Sequence, residues 1–143
     1  MRYLVATDGS EEADAAVRYA SRQALAFDAT LELVHVLTPE TRLVDGEIVL
    51  AGGARALELG EETLERARRL ATDVADERDE DLALETRLLT GTPADAIVER
   101  SRRADVDAIY VGHRGLSDER EQAVGSVAKS VLDKATVPVT VIR

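Results

Sequence analysis

Two clusters of small and polar residues in this 143-residue chain have types and spacing suited to holding an anion. The first is Gly112-His113-Arg114-Gly115, followed after nine residues by Gly125-Ser126. Glycines at 112 and 115 let a backbone turn tightly and approach a bulky anion with no Cβ in the way. Gly125 and Ser126, at the start of a helix, present unpaired N–H groups at its positive end. The second cluster is Thr7-Asp8-Gly9-Ser10. Glycines after a strand can simply make a turn, so one pair alone carries little. Two glycine elements flanking one connection, with a polar cluster at another strand end, set phosphate or nucleotide binding beside that plain reading.

The other side chains in these segments have more than one use. Arg114 either makes a charge-assisted contact to phosphate or faces solvent, paired with Asp118, Glu119 or Glu121. His113 invites a general-base reading, but a loop histidine is more often exposed, and no carboxylate is placed by the sequence to orient it. His35 lies in a buried-looking strand and reads as a satisfied sheet residue. Lys129 and Lys134, the only lysines, match no phosphate-binding lysine pattern.

The elements that must position these residues alternate along the chain. Residues 3–7 form a short buried strand. Ser10 is a natural N-cap for a helix with apolar positions Ala13, Val17, Ala20, Ala24 and Phe27, and Glu11 and Glu12 suit its first turn. Residues 30–37 form the next strand. Residues 38–53 hold Asp45-Gly46 between short apolar runs, a small hairpin or an excursion. A lid, a dimer contact and a disordered loop are all open for residues 43–51. A long amphipathic helix follows to about residue 79, then a strand over 82–89. Thr92 as cap and Pro93 at the first position start a helix to about Ala104. A strand over 107–111, a helix from about Ser126 and a last strand over 137–142 complete the pattern. Strand-helix alternation of this kind implies an α/β fold, a parallel sheet with helices on both faces. Ligands of such sheets bind outside the carboxyl ends of the strands, where both clusters open.

Composition narrows the function. The length fits one domain over residues 1–143. With 45% hydrophobic residues and few aromatics, the core must be Val, Leu, Ile and Ala, suited to strands buried on both faces. A net charge of −10 disfavours nucleic acid and anionic membrane as partners. The acidic, lysine-poor composition suggests a halophilic setting, the alternative being an ordinary acidic cytosolic protein. The absence of cysteine excludes disulfides and thiolate metal sites, and two histidines leave little for an imidazole site. No apolar stretch approaches the roughly 20 residues that span a bilayer, so a cytoplasmic location is expected. The P-loop, the dinucleotide Gly-x-Gly-x-x-Gly after the first strand and the Gly-x-Ser-x-Gly elbow are all missing. The usual machinery of rapid phosphoryl or acyl transfer is therefore not visible.

The spacing Gly112-x-x-Gly115, nine residues, Gly125-Ser126, with Asp8 after the first strand, resembles the ATP-binding signature of the universal stress protein family. The likeness runs from Val5-Ala6-Thr7-Asp8-Gly9-Ser10 through His35-Val36 and Gly91-Thr92-Pro93 to the last strand. It implies a Rossmann-like sheet of five parallel strands in the order 3-2-1-4-5. It implies adenine near Ala6, Thr7 and Val36, with Val111 and Gly112 closing on it, and ribose and phosphates reaching Gly115, Gly125, Ser126 and Val127. Asp8 then either accepts from the nucleotide or holds magnesium through water. Ala128 departs from relatives that carry a hydroxyl there, which removes one phosphate contact.

Three functions follow from this. A nucleotide-binding regulatory or sensor protein leads. A slow ATPase using Asp8 and a metal ion is the second, and its turnover would be lost on Asp8→Asn. A scaffold that binds no nucleotide is the third. The last strand is β-branched at Val137, Val139, Thr140, Val141 and Ile142 and contains Pro138, which suits an edge. An open apolar edge points to a homodimer through residues 137–142, as does the resemblance.

Overall fold

The computed structural model describes residues 1–38, 42–44, 46–49, 53–114 and 124–143. Its elements are β1 (Arg2–Ala6), α1 (Glu11–Ala26), β2 (Thr30–Leu37), β3 (Arg42–Val44), β4 (Glu47–Val49), α2 (Ala54–Glu77), β5 (Leu84–Thr90), α3 (Pro93–Arg103), β6 (Ala108–Gly112), α4 (Ser126–Lys134) and β7 (Val139–Ile142). Five strands make one parallel sheet in the order β5-β2-β1-β6-β7, the expected 3-2-1-4-5 of the main strands. The order reverses between β1 and β6, where Tyr3, Leu4 and Val5 stand opposite Ala108, Ile109 and Tyr110. β3 and β4 pair antiparallel as a hairpin through Gly46 at φ +81°. Asp45, Leu50 and Ala51 of that stretch lie outside the described residues.

Alternation along the strands divides the core into two layers. Tyr3, Val5, Leu31, Leu33 and Tyr110 face α1 and α2, packing on Ala16, Val17, Ala20, Leu64, Ala67 and Ala71. Leu4, Val34, Ile109 and Val111 face the other way, onto Ala94, Ile97 and Val98 of α3 and Ala128 and Val131 of α4. The three tyrosines cluster, with ring centroids 5.6 Å apart for Tyr3–Tyr110 and 6.0 Å for Tyr19–Tyr110. Burial, reinforced by the two neighbouring phenols, pushes the Tyr110 hydroxyl up to about 12.

One buried charge interrupts the apolar pattern. Glu32, between Leu31 and Leu33 on β2, is fully buried. Arg100 donates to its two oxygens at 2.6 and 3.2 Å and Arg2 donates at 3.1 Å, with Arg87 3.5 Å away. Arg2 also donates to Glu85 at 2.6 Å. That hydrogen bond, aided by the charges of Arg2, Arg100 and Arg87, outweighs desolvation and holds the Glu85 carboxyl below its ordinary value. This network sits toward the amino ends of the strands, at the opposite end of the sheet from the glycine clusters.

Element ends differ from the sequence expectation in physically simple ways. β1 ends at Ala6, so Thr7 has left the strand, although its N–H still donates to Val34 O at 2.9 Å. α1, α2 and α3 are followed by Asp28, Asp79 and Asp105 at φ +53°, +53° and +50°, aspartates in the left-handed conformation that usually calls for glycine. α2 therefore stops at Glu77 rather than 79. β5 starts at Leu84 rather than 82. β7 starts at Val139 rather than 137, and Pro138 precedes it, accepting from Ile109 N–H through its carbonyl at 2.9 Å. Ser10 caps α1, accepting from Ala13 N–H at 3.2 Å. Thr92 takes the cap position of α3 ahead of Pro93, but its side chain makes no cap bond. No helix among the described residues is long and apolar enough to cross a membrane.

Candidate functional site

The connection from β1 to α1 is held by its own side chains. Thr7 Oγ1 accepts from Gly9 N–H at 3.1 Å, and Asp8 Oδ1 accepts from Ser10 N–H at 3.0 Å, both local turns that short polar side chains favour. Gly9 supplies the positive φ of +83° that the turn needs. His35 Nδ1 lies 2.7 Å from Thr7 O. A carbonyl only accepts, so Nδ1 carries the proton and His35 is satisfied, as expected of a sheet residue. Asp8 is thereby fixed, half-buried, at the mouth of the reversal.

The two described ends of the connection from β6 to α4 are tied to the sheet and to each other. His113 N–H donates to Ile142 O, and Gly125 N–H donates to His113 O, each at 2.6 Å. Gly125 is the extended N-cap of α4, with no side-chain cap, and the first intrahelical bond runs from Lys129 N–H to Gly125 O at 2.9 Å. The N–H groups of Ser126, Val127 and Ala128 precede that bond, at the positive end of the helix. Ala6, Val36, Val111 and Val127 all belong to the layer between the sheet and α3–α4. Val111 is buried there, while Ala6, Val36 and Val127 are half-buried. The carboxyl ends of β1, β2 and β6 thus present an apolar wall next to a helix start that favours anions. That combination suits a ligand with one flat apolar part and one negative part.

Several sequence expectations change here. A Cβ on Gly112 would lie 2.8 Å from the Glu12 carbonyl carbon and 3.0 Å from Ala13 N. Gly112 is therefore required by the packing of α1 against β6, and its bare side faces that helix. Arg114 donates to Glu12 Oε1 at 2.9 Å, a partner not expected from the sequence, while Asp118, Glu119 and Glu121 lie outside the described residues. His113 is not an exposed loop histidine: it is 4% exposed, and its Nε2 finds no hydrogen-bond partner among the described residues. Leaving such an atom unsatisfied costs about 1–3 kcal/mol. Ala128 is buried against the core, with Val131. Gly115 lies outside the described residues.

Glu12 was legible only as a first-turn acid, because nothing in local spacing ties it to a residue 102 positions away. Among the described residues no group of three or more His, Cys, Asp or Glu is placed to hold a metal ion.

The model of the universal stress protein family matches residues 1–143. The chain belongs to the universal stress protein family. It is 32% identical over 144 residues to a universal stress protein of Mycolicibacterium smegmatis, covering 98% of this chain and 47% of that one, so it spans about half the length of this relative. Among solved structures, a universal stress protein in complex with cAMP matches with a TM-score of 0.73 at 25% identity, over 100% of this chain and 96% of that one. The Archaeoglobus fulgidus family member in complex with dAMP matches with a TM-score of 0.74 at 27% identity, over 100% of this chain and 98% of that one. The family fold is the Rossmann-like α/β arrangement described above.

Proposed function

We propose that this chain binds an adenine nucleotide, with ATP as the leading ligand, at the β1–β6 reversal, and acts as a regulatory or sensor protein in stress responses. The observation that carries the reading is the meeting, at the carboxyl ends of β1, β2 and β6, of the apolar residues Ala6, Val36, Val111 and Val127 with the start of α4, which no side chain caps. Adenine lies against that wall beside Thr7. Ribose comes to Asp8 and Gly112, and phosphates take the N–H groups of Ser126 and Val127 next to Gly125. The family members in complex with cAMP and dAMP support an adenine ligand. Magnesium typically keeps several waters and binds phosphate oxygens with one or two carboxylates, and Asp8 fits that role. Binding shifts the population of domain conformations and so the surface offered to partners in the cytoplasm.

Mass spectrometry of small molecules released from freshly purified, denatured protein tests this reading, and an adenine nucleotide is the expected finding. Gly125 adopts φ −62° and ψ 156°, angles open to any residue, so Gly125→Val crowds the anion position without demanding a new backbone. Affinity for ATP should fall about ten-fold or more in that variant. Unchanged affinity would remove the helix start from the site.

The same proposal includes a homodimer through β7. This strand is the sheet edge, and Val139, Thr140, Val141 and Ile142 are each only half-buried in the single chain. An apolar edge with one unpaired row of backbone groups is a template for a second copy. Light scattering at micromolar concentration should give the mass of two chains. The mass of one chain would contradict it.

A further inference from the structure

We propose that His113, and not Arg114, is the side chain between Gly112 and Gly115 that meets the ligand, where it joins the first turn of α4 in taking a phosphoryl oxygen. This assignment rests on the adenine nucleotide reading and specifies which side chain recognises the phosphate.

The two faces of the sheet decide between the neighbours. Along β6, Ile109 and Val111 belong to the α3–α4 layer and Tyr110 to the α1–α2 layer. Gly112 keeps the alternation, since its absent Cβ is directed at Glu12 and Ala13 of α1. The next step returns His113 to the side of α4 and sends Arg114 to the side of α1, where Glu12 accepts its hydrogen bond. Arg114 Nε is also buried with no partner among the described residues, but its Nη2 pairs with the Glu12 carboxylate at 2.9 Å, so the pair brings no net charge to an incoming anion and stands on the side of α1.

His113 has the complementary properties. Its backbone is tied on both sides, to Ile142 of β7 and to Gly125 at the start of α4. The residue is 4% exposed, and Nε2 is closed to solvent with no partner among the described residues. Buried polar side-chain atoms are paired in the large majority of cases, and an exception asks for an explanation such as a functional role or a bound group. The neighbouring feature is the uncapped start of the nine-residue helix α4. One chemical group satisfies both: an oxyanion accepts from backbone N–H groups and from an Nε2–H at once. A phosphate ester attached to the adenosine on the apolar wall is that oxyanion.

Calorimetric titration of adenosine, AMP and ATP into the full chain tests the assignment, using wild type, His113→Phe, His113→Gln and Arg114→Met. Phenylalanine keeps a ring in the core and removes both nitrogens, while glutamine returns a donor near the position of Nε2. The expected result is that His113→Phe weakens AMP and ATP about ten-fold or more and adenosine less than about two-fold. His113→Gln recovers most of the loss, and Arg114→Met leaves the ratio of AMP to adenosine affinity unchanged. If the phenylalanine variant does not fold, His113→Asn, whose amide ends short of Nε2, carries the test with the same expected loss. Equal weakening of all three ligands, an unchanged ratio in the His113 variants, or the loss appearing in Arg114→Met would each overturn the assignment. Those results leave adenine nucleotide binding standing. A wild-type chain that binds none of the three would remove that reading and this one together.

Discussion

Glu32→Gln should lower the unfolding free energy by about 3 kcal/mol, the largest single-residue effect expected in this chain away from the ligand site. Glu32 is fully buried near the amino end of β2, between Leu31 and Leu33, and both Arg100 and Arg2 donate to its carboxylate. Removing one partner of a buried ion pair strands the other and typically costs about 3–5 kcal/mol. The side chains of Arg2 and Arg100 are 29% and 19% exposed, so water relieves part of the uncompensated charge and the lower end applies. In a chain of this size the thermal midpoint should fall by roughly 12 °C. A shift of less than about 3 °C would contradict this account of the network. Because the network lies at the amino ends of the strands, nucleotide affinity should be unaltered in the folded variant.

Gly112→Ala comes next, at about 2 kcal/mol, or roughly 8 °C in the thermal midpoint. The added methyl meets backbone rather than a side-chain tip. The Glu12 carbonyl carbon at 2.8 Å and Ala13 N at 3.0 Å cannot turn aside, so the first turn of α1 must lift from β6. That turn follows Ser10 and the Asp8 loop, so ligand affinity should fall too. Both uses of the glycine, access for an anion and room for a helix, predict weaker binding. Only the packing role predicts lower stability with no ligand present, and a midpoint within about 2 °C of wild type would exclude it.

The strands and helices of this fold are legible in the sequence because each carries one strong period. Leu31, Leu33 and Val34 fill β2 as a strand buried on both faces, and Ala13, Val17, Ala20 and Ala24 mark one stripe of α1. Helix ends were harder to read. Asp28, Asp79 and Asp105 take the left-handed position where glycine is the familiar sign, so an acidic residue that looked like helix surface was its stop. The start of β7 moved for a related reason: the β-branched run extends through Pro138, but pairing with β6 begins only at Val139.

The candidate site divides along similar lines. Ser10, Gly125 and the apolar residues Ala6, Val36, Val111 and Val127 could be placed from local pattern and from the family resemblance, since each sits at the end of a well-marked element. The roles of Gly112, His113 and Arg114 could not. Glycine shows no side chain from which to read the face of a strand, and the alternation that separates His113 from Arg114 runs through it. The contact that fixes Arg114 comes from Glu12, which is brought near only because β1 and β6 are neighbours in the sheet. The pairing of distant elements, which no local spacing records, decides which charged groups remain for a ligand.

The most direct test of the central claim is calorimetric titration of ATP into protein stripped of small molecules, with magnesium, in multimolar potassium chloride to screen the net charge of −10. Saturable binding of one nucleotide per chain is the predicted result. The absence of any heat of binding at millimolar ATP, from protein shown to be folded, would contradict it and favour a scaffold that works through protein contacts alone.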